Sequence, residues 1–211
     1  KIKFYQASTS EMFGKVQCIP QNEDTPFYPR SPYGVAKLYA HWMVINYRES
    51  YDIFGASGIL FNHESERRGI EFVTRKITDG VAKVHLGYED HIKLGNLDSR
   101  RDWGYAPEFI LAMEKIINAK NMDDYIVATN EVATVRDFFS KSAVVAGYDP
   151  IFEGEGINEK CIDRKSSKVL CEVNKSFFRP TDVVYLQGDY SAINKEFDWK
   201  PDSLWEDVAE K

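Results

Sequence analysis

The stretch SPYGVAKLYAHWMVINYRESYDIFGASGILF, residues 31–61, decides the fold of this chain. Its opening Ser-Pro pair suits a helix start, because serine caps a helix and proline fits the first turn without losing a hydrogen bond. We expect that helix to run to about Tyr51, and the apolar segment 53–61 to form a strand. Residues 2–7 are an earlier apolar run. A strand, a long helix and a strand without a hairpin signal predict a βαβ unit with parallel strands and a right-handed crossover.

The same alternation continues downstream. Gly147 suits the position just past the end of a helix, where the backbone turns left-handed. The chain is therefore predicted to be an α/β protein, in which ligands bind outside the carboxyl ends of the parallel strands. The pattern predicts further helices at about 70–85, 106–119 and 135–146, and strands at about 91–94, 125–129, 151–153 and 169–173.

The composition argues against several classes of protein. At 211 residues, 43% of them hydrophobic and 28% charged, the chain fits one large globular domain or one and a half smaller ones. A net charge of −6 without a basic run argues against nucleic acid or an anionic membrane as a partner. No apolar run reaches membrane-spanning length. Three widely spaced cysteines predict reduced thiols of a cytosolic protein, and the four histidines lack the spacing of a metal site.

Tyr33 and Lys37 are the first candidates for chemistry. Their i, i+4 spacing places both side chains on one face of the predicted helix. A free tyrosine has a pKa near 10, so a tyrosine base at neutral pH needs a shift of roughly three units, or about 4 kcal/mol. An ammonium one turn away supplies part of it. The alternative is a surface tyrosine and lysine on an amphipathic helix.

Thr9 and Glu11 are the second pair of candidates. They follow the apolar run 2–7, so we expect them at the carboxyl end of a buried parallel strand, where the chemistry of open α/β sheets is located. A hydroxyl, a carboxylate and a tyrosine-lysine pair would then meet at one edge of the sheet. The alternative for Glu11 is a solvated carboxylate just past a strand.

Together these residues resemble the active site of the extended short-chain dehydrogenase/reductase superfamily. Within it, the chain resembles the GDP-mannose 4,6-dehydratase family. The tyrosine-lysine pair is generic to the superfamily, whereas the other motifs taken jointly are specific and span nearly the whole chain. The matching stretches are 8–11 (STSE), 26–34 (PFYPRSPYG), 58–65 (GILFNHES), 67–69 (RRG), 72–77 (FVTRKI), 95–98 (GNLD), 101–104 (RDWG) and 179–181 (RPT).

The resemblance implies an enzyme that moves a hydride from C4 of the hexose to NADP, eliminates water across C5 and C6, and returns the hydride to C6. It implies that Tyr33 is the base for the C4 hydroxyl, that Lys37 stabilises the tyrosinate and binds the nicotinamide ribose, and that Thr9 hydrogen-bonds the hydroxyl. Glu11 would remove the C5 proton. Because the preceding Ser10 is a poor acid, Glu11 would also protonate the leaving water.

Binding roles follow from the same resemblance. Tyr33, Lys37, His63 and Arg68 are expected to contact NADP, and the substrate GDP-mannose is expected at Asn62, Val73, Lys76, Arg101 and Arg179. Arginine suits a pyrophosphate because its planar fork binds two oxygens at once. As alternatives, His63 could cap the strand-end loop, Arg68 could be a solvated charge, and an Arg101–Asp102 ion pair could be structural.

The resemblance also implies an architecture: the C-terminal part of a Rossmann-like, doubly wound parallel sheet plus a smaller α/β substrate domain. We expect residues 1–61 and 97–130 in the dinucleotide-binding domain, and 62–96 and 131–211 mainly in the substrate domain. No G-x-x-G-x-x-G phosphate loop occurs in the sequence. We therefore expect an N-terminally truncated chain that is inactive by itself, from a cytoplasmic homodimer or homotetramer active in GDP-fucose or other deoxyhexose synthesis.

Three positions depart from the family pattern. Phe13 stands where a tyrosine is usual, Glu66 replaces a proline before the arginine pair, and Tyr105 replaces a histidine. Two other functions remain open from the residues. One is an epimerase or reductase of the same superfamily, against which Glu11 and the 67–69 loop argue. The other is a non-catalytic dinucleotide-sensing protein, a class that usually has a broken tyrosine-lysine pair.

Overall fold

Strands and helices alternate along the chain in the computed structural model, which describes residues 2–177 and 185–211. The strands are β1 (Phe4–Thr9), β2 (Gly55–Leu60), β3 (Asn62–Glu64), β4 (Ile92–Leu94), β5 (Arg100–Arg101), β6 (Trp103–Tyr105), β7 (Asp124–Val127), β8 (Ala133–Thr134), β9 (Pro150–Glu153), β10 (Lys160–Asp163) and β11 (Val169–Val173). The helices are α1 (Pro32–Tyr51), α2 (Val73–His85), α3 (Ala106–Ile117), α4 (Val135–Val145), α5 (Ser191–Phe197) and α6 (Trp205–Glu210).

The first sheet has the order β1-β2-β7, and all three strands are parallel. The register pairs Phe4 with Gly55 and Thr9 with Leu60, so β1 and β2 end together. Every residue of β2 is buried, as expected for a strand covered on both faces. The predicted βαβ unit β1-α1-β2 is confirmed.

Helices cover both faces of this sheet. Side chains alternate between faces along a strand. Leu60 of β2 packs in one hydrophobic cluster with Phe109 of α3, whereas its neighbour Ile59 belongs to a second cluster against which Leu38 of α1 packs. The sheet is therefore doubly wound, with α1 and α3 on opposite sides.

Local interactions determine where helix α1 begins and ends. The backbone N–H of Gly34 donates to Ser31 Oγ at 3.0 Å, and Pro32 occupies the first turn. The helix ends at Tyr51, because Asp52 adopts a left-handed conformation with φ of 50°. Gly147 likewise has φ of 90° just beyond α4, as predicted.

The second sheet has the order β4-β11-β10-β9. Strand β11 is parallel to β4 and antiparallel to β10, which pairs antiparallel with β9. Helices α2, α4 and α6 pack in the same hydrophobic cluster as this sheet. Cys161 and Cys171 lie opposite each other on β10 and β11 as buried free thiols, and Cys18 is an exposed one.

Several elements differ from the sequence-based expectations. Helix α2 begins at Val73 rather than at 70, because a turn closed by the bond from the Phe72 N–H to the Gly69 carbonyl precedes it. Strand β10 and helices α5 and α6 were not predicted, since four to seven residues carry too little periodicity. In the part of the chain that the structure describes, no helix is both long and apolar enough to cross a membrane.

Candidate active site

The tyrosine-lysine pair lies at the start of α1, beside the end of β1. Lys37 Nζ donates to the carbonyl of Ala7 in β1 at 2.9 Å, and it lies 5.7 Å from the centroid of the Tyr33 ring. Tyr33 is 54% exposed. The predicted shared face is confirmed, and the lysine is anchored to the strand that carries Thr9.

The carboxyl end of β1 turns directly into a short 3₁₀ helix, Ser10–Met12. Thr9 is buried, and its Oγ1 accepts a hydrogen bond from the Glu11 N–H at 3.3 Å, which caps this turn. Met12 is fully buried in the cluster beneath the turn, whereas Glu11 stays partly exposed. The turn therefore fixes the backbone of Glu11, and the residue stays partly exposed.

Gly34 brings the start of α1 against this turn. A Cβ atom added to Gly34 would lie 2.7 Å from the carbonyl oxygen of Glu11. Only glycine permits so close an approach between the helix and the strand end. The residue next to Tyr33 thus packs on the backbone of Glu11, and the structure brings together Thr9, Glu11, Tyr33 and Lys37.

His63 is the middle residue of β3, the short strand that follows the carboxyl end of β2. Its Nδ1 lies 2.8 Å from the Phe61 carbonyl, and its ring stacks on Phe109 with 5.1 Å between centroids. Burial lowers the pKa of His63, and the nearby Arg68 charge lowers it further. Because a carbonyl only accepts, Nδ1 carries the proton and the neutral ring keeps Nε2 as an acceptor.

Arg68 is held in place by two neighbours. Its Nε forms an ion pair with Glu64 Oε2 at 3.1 Å, and its guanidinium carbon lies 3.6 Å from the centroid of the Phe72 ring. Glu64 is only 2% exposed, and the same oxygen accepts a hydrogen bond from Thr74 Oγ1 at 2.6 Å. The alternative of a freely solvated Arg68 is therefore wrong.

The expected substrate-binding residues are distributed over several elements. Asn62 opens β3 and pairs with Trp103 of β6, and Val73 is the first residue of α2. Lys76 Nζ lies 3.4 Å from the centroid of the Phe177 ring, and burial lowers its pKa. Arg101 lies in β5, with a guanidinium bond to the Arg100 carbonyl. Arg179 lies outside the described residues.

Asp102, next to Arg101, is fully buried and accepts four hydrogen bonds. Its Oδ1 accepts from the Thr129 N–H at 2.9 Å and from Thr129 Oγ1 at 2.7 Å, and its Oδ2 accepts from the N–H groups of Asn130 at 3.0 Å and Gly188 at 3.2 Å. Burial raises the pKa of Asp102 to about 6, against the opposing effect of these donors. The carboxylate thus ties β6 to the end of β7 and to the segment around Gly188.

Sequence reasoning did not single out Glu64 or Asp102 as residues of the site. Both stand inside the matched motifs, at 58–65 and 101–104, as carboxylates beside candidate ligands. Both stand in polar runs, 62–68 and 98–102, so the local pattern does not mark them as buried.

The sequence and the fold of this chain both match those of known proteins. A family model described as GDP-mannose 4,6 dehydratase matches residues 1–211. The chain belongs to the GDP-mannose 4,6-dehydratase family. The GDP-mannose 4,6 dehydratase of Homo sapiens is 49% identical over 208 residues, which cover 99% of this chain and 56% of that protein. The protein of that name in Yersinia enterocolitica is 45% identical over 219 residues, covering 99% and 59%. The chain thus spans somewhat more than half the length of these relatives.

Solved structures of wider relatives share the fold of this GDP-mannose 4,6-dehydratase family member. RMD from Pseudomonas aeruginosa, complexed with NADPH, matches with a TM-score of 0.81 at 16% identity, over 99% of this chain and 64% of that one. dTDP-glucose 4,6-dehydratase from Bacillus anthracis, in complex with NAD, matches with a TM-score of 0.79 at 18% identity, over 99% and 60%. The expected Rossmann-like α/β class is confirmed.

The departures from the GDP-mannose 4,6-dehydratase pattern have local explanations. Phe13 is fully buried between Phe27 and Phe61, at centroid distances of 5.1 and 6.2 Å, where a hydroxyl would need a partner. The other two departures touch each other, since Tyr105 Oη donates to Glu66 Oε1 at 3.5 Å. Glu66 lies two positions after Glu64, and Tyr105 lies three positions after Asp102.

Proposed function

We propose that this chain, within its full-length protein, catalyses the NADP-dependent dehydration of GDP-mannose to GDP-4-keto-6-deoxy-mannose. The observation that carries the proposal is the contact between the end of β1 and the start of α1. Glu11 follows β1, and Gly34 of α1 packs against its carbonyl. Helix α1 also carries Tyr33 and Lys37, and Lys37 Nζ donates to the Ala7 carbonyl of β1. A carboxylate beside a tyrosine-lysine pair supplies the second acid-base group that elimination requires. The family relationship and the substrate named for the relatives support the same reaction.

The residues present fit the nicotinamide half of a dinucleotide. The Lys37 ammonium is anchored at the strand end, and neutral His63 offers Nε2 as an acceptor. Arg68 supplies a positive charge beside them, with its side chain 24% exposed. The Lys37 ammonium suits a ribose, His63 Nε2 suits a carboxamide, and the Arg68 guanidinium suits a phosphate. When bound, NADP supplies the acceptor for the C4 hydride and returns it at C6.

In the proposed reaction, side chains of the protein remove and donate the protons. Tyr33 Oη takes the proton of the C4 hydroxyl as the C4–H electron pair leaves, and Thr9 Oγ1 orients that hydroxyl. The resulting 4-keto group acidifies the C5–H, and Glu11 removes this proton. Glu11 then protonates the C6 hydroxyl, which leaves as water as the C5–C6 double bond forms. When C6 is reduced, C5 takes up a proton, which balances the proton that Tyr33 removed from the C4 hydroxyl. In this proposal one carboxylate serves both transfers, because the hydroxyl of Ser10 is a poor acid.

An epimerase or reductase of the same superfamily is the second candidate, because related folds include epimerases such as the UDP-glucose 4-epimerase of Thermus thermophilus. The two reactions are separated by mass. Full-length protein incubated with NADP and GDP-mannose is expected to yield a nucleotide sugar lighter by one water. A product of unchanged mass with inverted C4 would indicate epimerisation, and no turnover of GDP-mannose would contradict the proposal.

The division into two parts, the assembly and the cellular role of the protein are further proposals. We place residues 1–61 and 97–130 in the dinucleotide-binding part and 62–96 and 131–211 mainly in the substrate part, although Ile193 and Trp199 pack with the first sheet. We propose a cytoplasmic homodimer or homotetramer that serves GDP-fucose or other deoxyhexose synthesis.

A further inference from the structure

Glu64 is a buried carboxylate that the proposed proton transfers do not use. It is 2% exposed at the end of β3, and its Oε2 is shared by Thr74 Oγ1 at 2.6 Å and Arg68 Nε at 3.1 Å. Burying a carboxylate is costly unless dedicated partners compensate it. Thr74, itself only 3% exposed, fixes the carboxylate from the first turn of α2.

The contacts of Arg68 with Glu64 and Phe72 leave its two terminal nitrogens available for a ligand. Phe72 covers a face of the guanidinium, with 3.6 Å from the central carbon to the ring centroid, and Nε lies 3.1 Å from Glu64 Oε2 as an ion pair without hydrogen-bond geometry. Across residues 2–177 and 185–211, no acceptor forms a hydrogen bond with Nη1 or Nη2 of Arg68. These two terminal groups form the fork that binds an anion bidentately.

The arginine held in this way adjoins the other candidate cofactor residue. Burial is the main cause of the low pKa of His63, but the Arg68 charge lowers that pKa and the Glu64 charge raises it. The three side chains are therefore electrostatic neighbours on β3 and the loop after it, which follow the carboxyl end of β2. The loop between them is closed by the bond from the Arg68 N–H to the Ser65 carbonyl at 3.0 Å.

We propose that Glu64 is a positioning residue for the dinucleotide: anchored by Thr74, it holds Arg68 flat on Phe72 so that Nη1 and Nη2 face the anionic part of the bound cofactor. The inference rests on the proposed function, in which His63 and Arg68 contact NADP. Its physical basis is preorganisation. A long side chain that is ordered before binding loses less entropy when the cofactor binds.

Direct measurement of NADP binding to the full-length protein, by calorimetry, tests this role. We expect Glu64→Gln, which can still accept from Thr74, to raise the Kd for NADP about 3- to 10-fold, the ordering cost of one long side chain. The matched control is Glu66→Gln, an exposed carboxylate two residues away, which should change the Kd less than about twofold. Tighter NADP binding by Glu64→Gln would overturn the role, because it would identify Glu64 as a counter-ion that competes with phosphate.

A double-mutant cycle with Arg68→Ala separates positioning from general structural damage. We expect Glu64→Gln to have no further effect on the Kd once Arg68 is alanine. A full additional loss in that background would refute the inference while leaving the proposed function intact. Arg68→Ala with an unchanged Kd would refute both the inference and the cofactor role of Arg68, and a wild-type protein that does not bind NADP would contradict the proposed function itself.

Phe72→Leu provides a second route if the Glu64 variant does not fold. Phe72 is 41% exposed, so leucine is tolerated there, but the planar surface beneath the guanidinium is lost. We expect about a 2- to 5-fold weaker Kd for NADP, the scale of a partly exposed cation–π contact. An unchanged Kd in a folded Phe72→Leu protein would overturn the proposed arrangement.

Discussion

At the scale of single residues, the proposed function depends on Glu11, which would distinguish a dehydratase site from that of a simple dehydrogenase. Tyr33 and Lys37 can move the proton of one hydroxyl, but removing water across C5 and C6 needs another acid-base group. Glu11 is tied through its backbone N–H to Thr9 Oγ1, and its carbonyl packs against Gly34. Its side chain is thus free to act while its position is fixed.

Glu11→Gln should lower dehydration of GDP-mannose by roughly 10²- to 10⁴-fold, the range expected for a general acid-base group. Oxidation at C4 should survive, because it depends on Tyr33 and Lys37. Rapid-mixing absorbance at the NADPH band would follow the first step, and product mass would follow the second. Glu49→Gln, at an exposed position on α1, serves as a control. Normal turnover by the Glu11 variant would exclude this role.

At the scale of elements, the site depends on the contact between the start of α1 and the turn after β1. The helix is capped by Ser31 and anchored to β1 by the bond from Lys37 Nζ to the Ala7 carbonyl. Gly34 allows the two backbones to meet, with room for no side chain between them. The relative placement of Tyr33 and Glu11 is therefore set by backbone packing rather than by a bond between their side chains.

Gly34→Ala should separate these elements. The added Cβ would lie 2.7 Å from the Glu11 carbonyl oxygen and 3.1 Å from Pro29 Cβ, so the helix start must shift. Overpacking of this kind costs roughly 1–3 kcal/mol, which exceeds the preference of a helix for alanine over glycine of about 0.5–1 kcal/mol.

Chemical denaturation should show a net loss of stability for Gly34→Ala, and activity should fall further than stability predicts. Val35→Ala, at the adjacent and 54% exposed position, should leave both unchanged or slightly improve stability. A Gly34→Ala protein with wild-type stability and activity would show that the close approach is not needed.

At the scale of the whole molecule, Asp102 joins segments that are far apart in the chain. Its bonds to Thr129 and Gly188 span 27 and 86 positions. Gln187, beside Gly188, accepts a backbone bond from Gln21 at 2.8 Å and donates its side chain to the Asn130 carbonyl at 2.8 Å. The long loop after Glu11 is thereby attached to the ends of β6 and β7.

Asp102→Asn should destabilise the protein by about 1–3 kcal/mol, because the new amide group faces N–H donors that a carboxylate satisfied. The loss should depend on pH. The folded-state pKa of Asp102 is about 6, above the ordinary value of 3.8, so the folded state binds more protons between these values. The stability that Asp102 contributes therefore increases as the pH falls from about 6 to 4.

Urea denaturation of both proteins at pH 7 and pH 4.5 checks this prediction, since the difference between them isolates residue 102. The destabilisation by Asp102→Asn should be larger at pH 4.5. A smaller destabilisation at pH 4.5 would mean that the four donors outweigh burial and that the carboxyl group ionises at or below its ordinary pKa.

The sequence alone determined the elements with strong local signals. The Ser31 cap, the following proline and the apolar spacing defined α1 to within a residue, and the two apolar runs around it defined β1 and β2. These features depend on residues within a few positions of each other, so their physics can be read locally. The candidate catalytic set, at strand ends and an i, i+4 pair, followed for the same reason.

The tertiary structure alone decided which groups are partners of the buried carboxylates Glu64 and Asp102. Thr74 lies ten positions from Glu64 but only 2.6 Å away, and the donors to Asp102 come from two separate segments. The short elements β10, α5 and α6 likewise form because distant residues pack on them. A buried carboxylate requires partners, but its residue type does not say where in the chain they are, because only the folded backbone brings them within hydrogen-bonding distance.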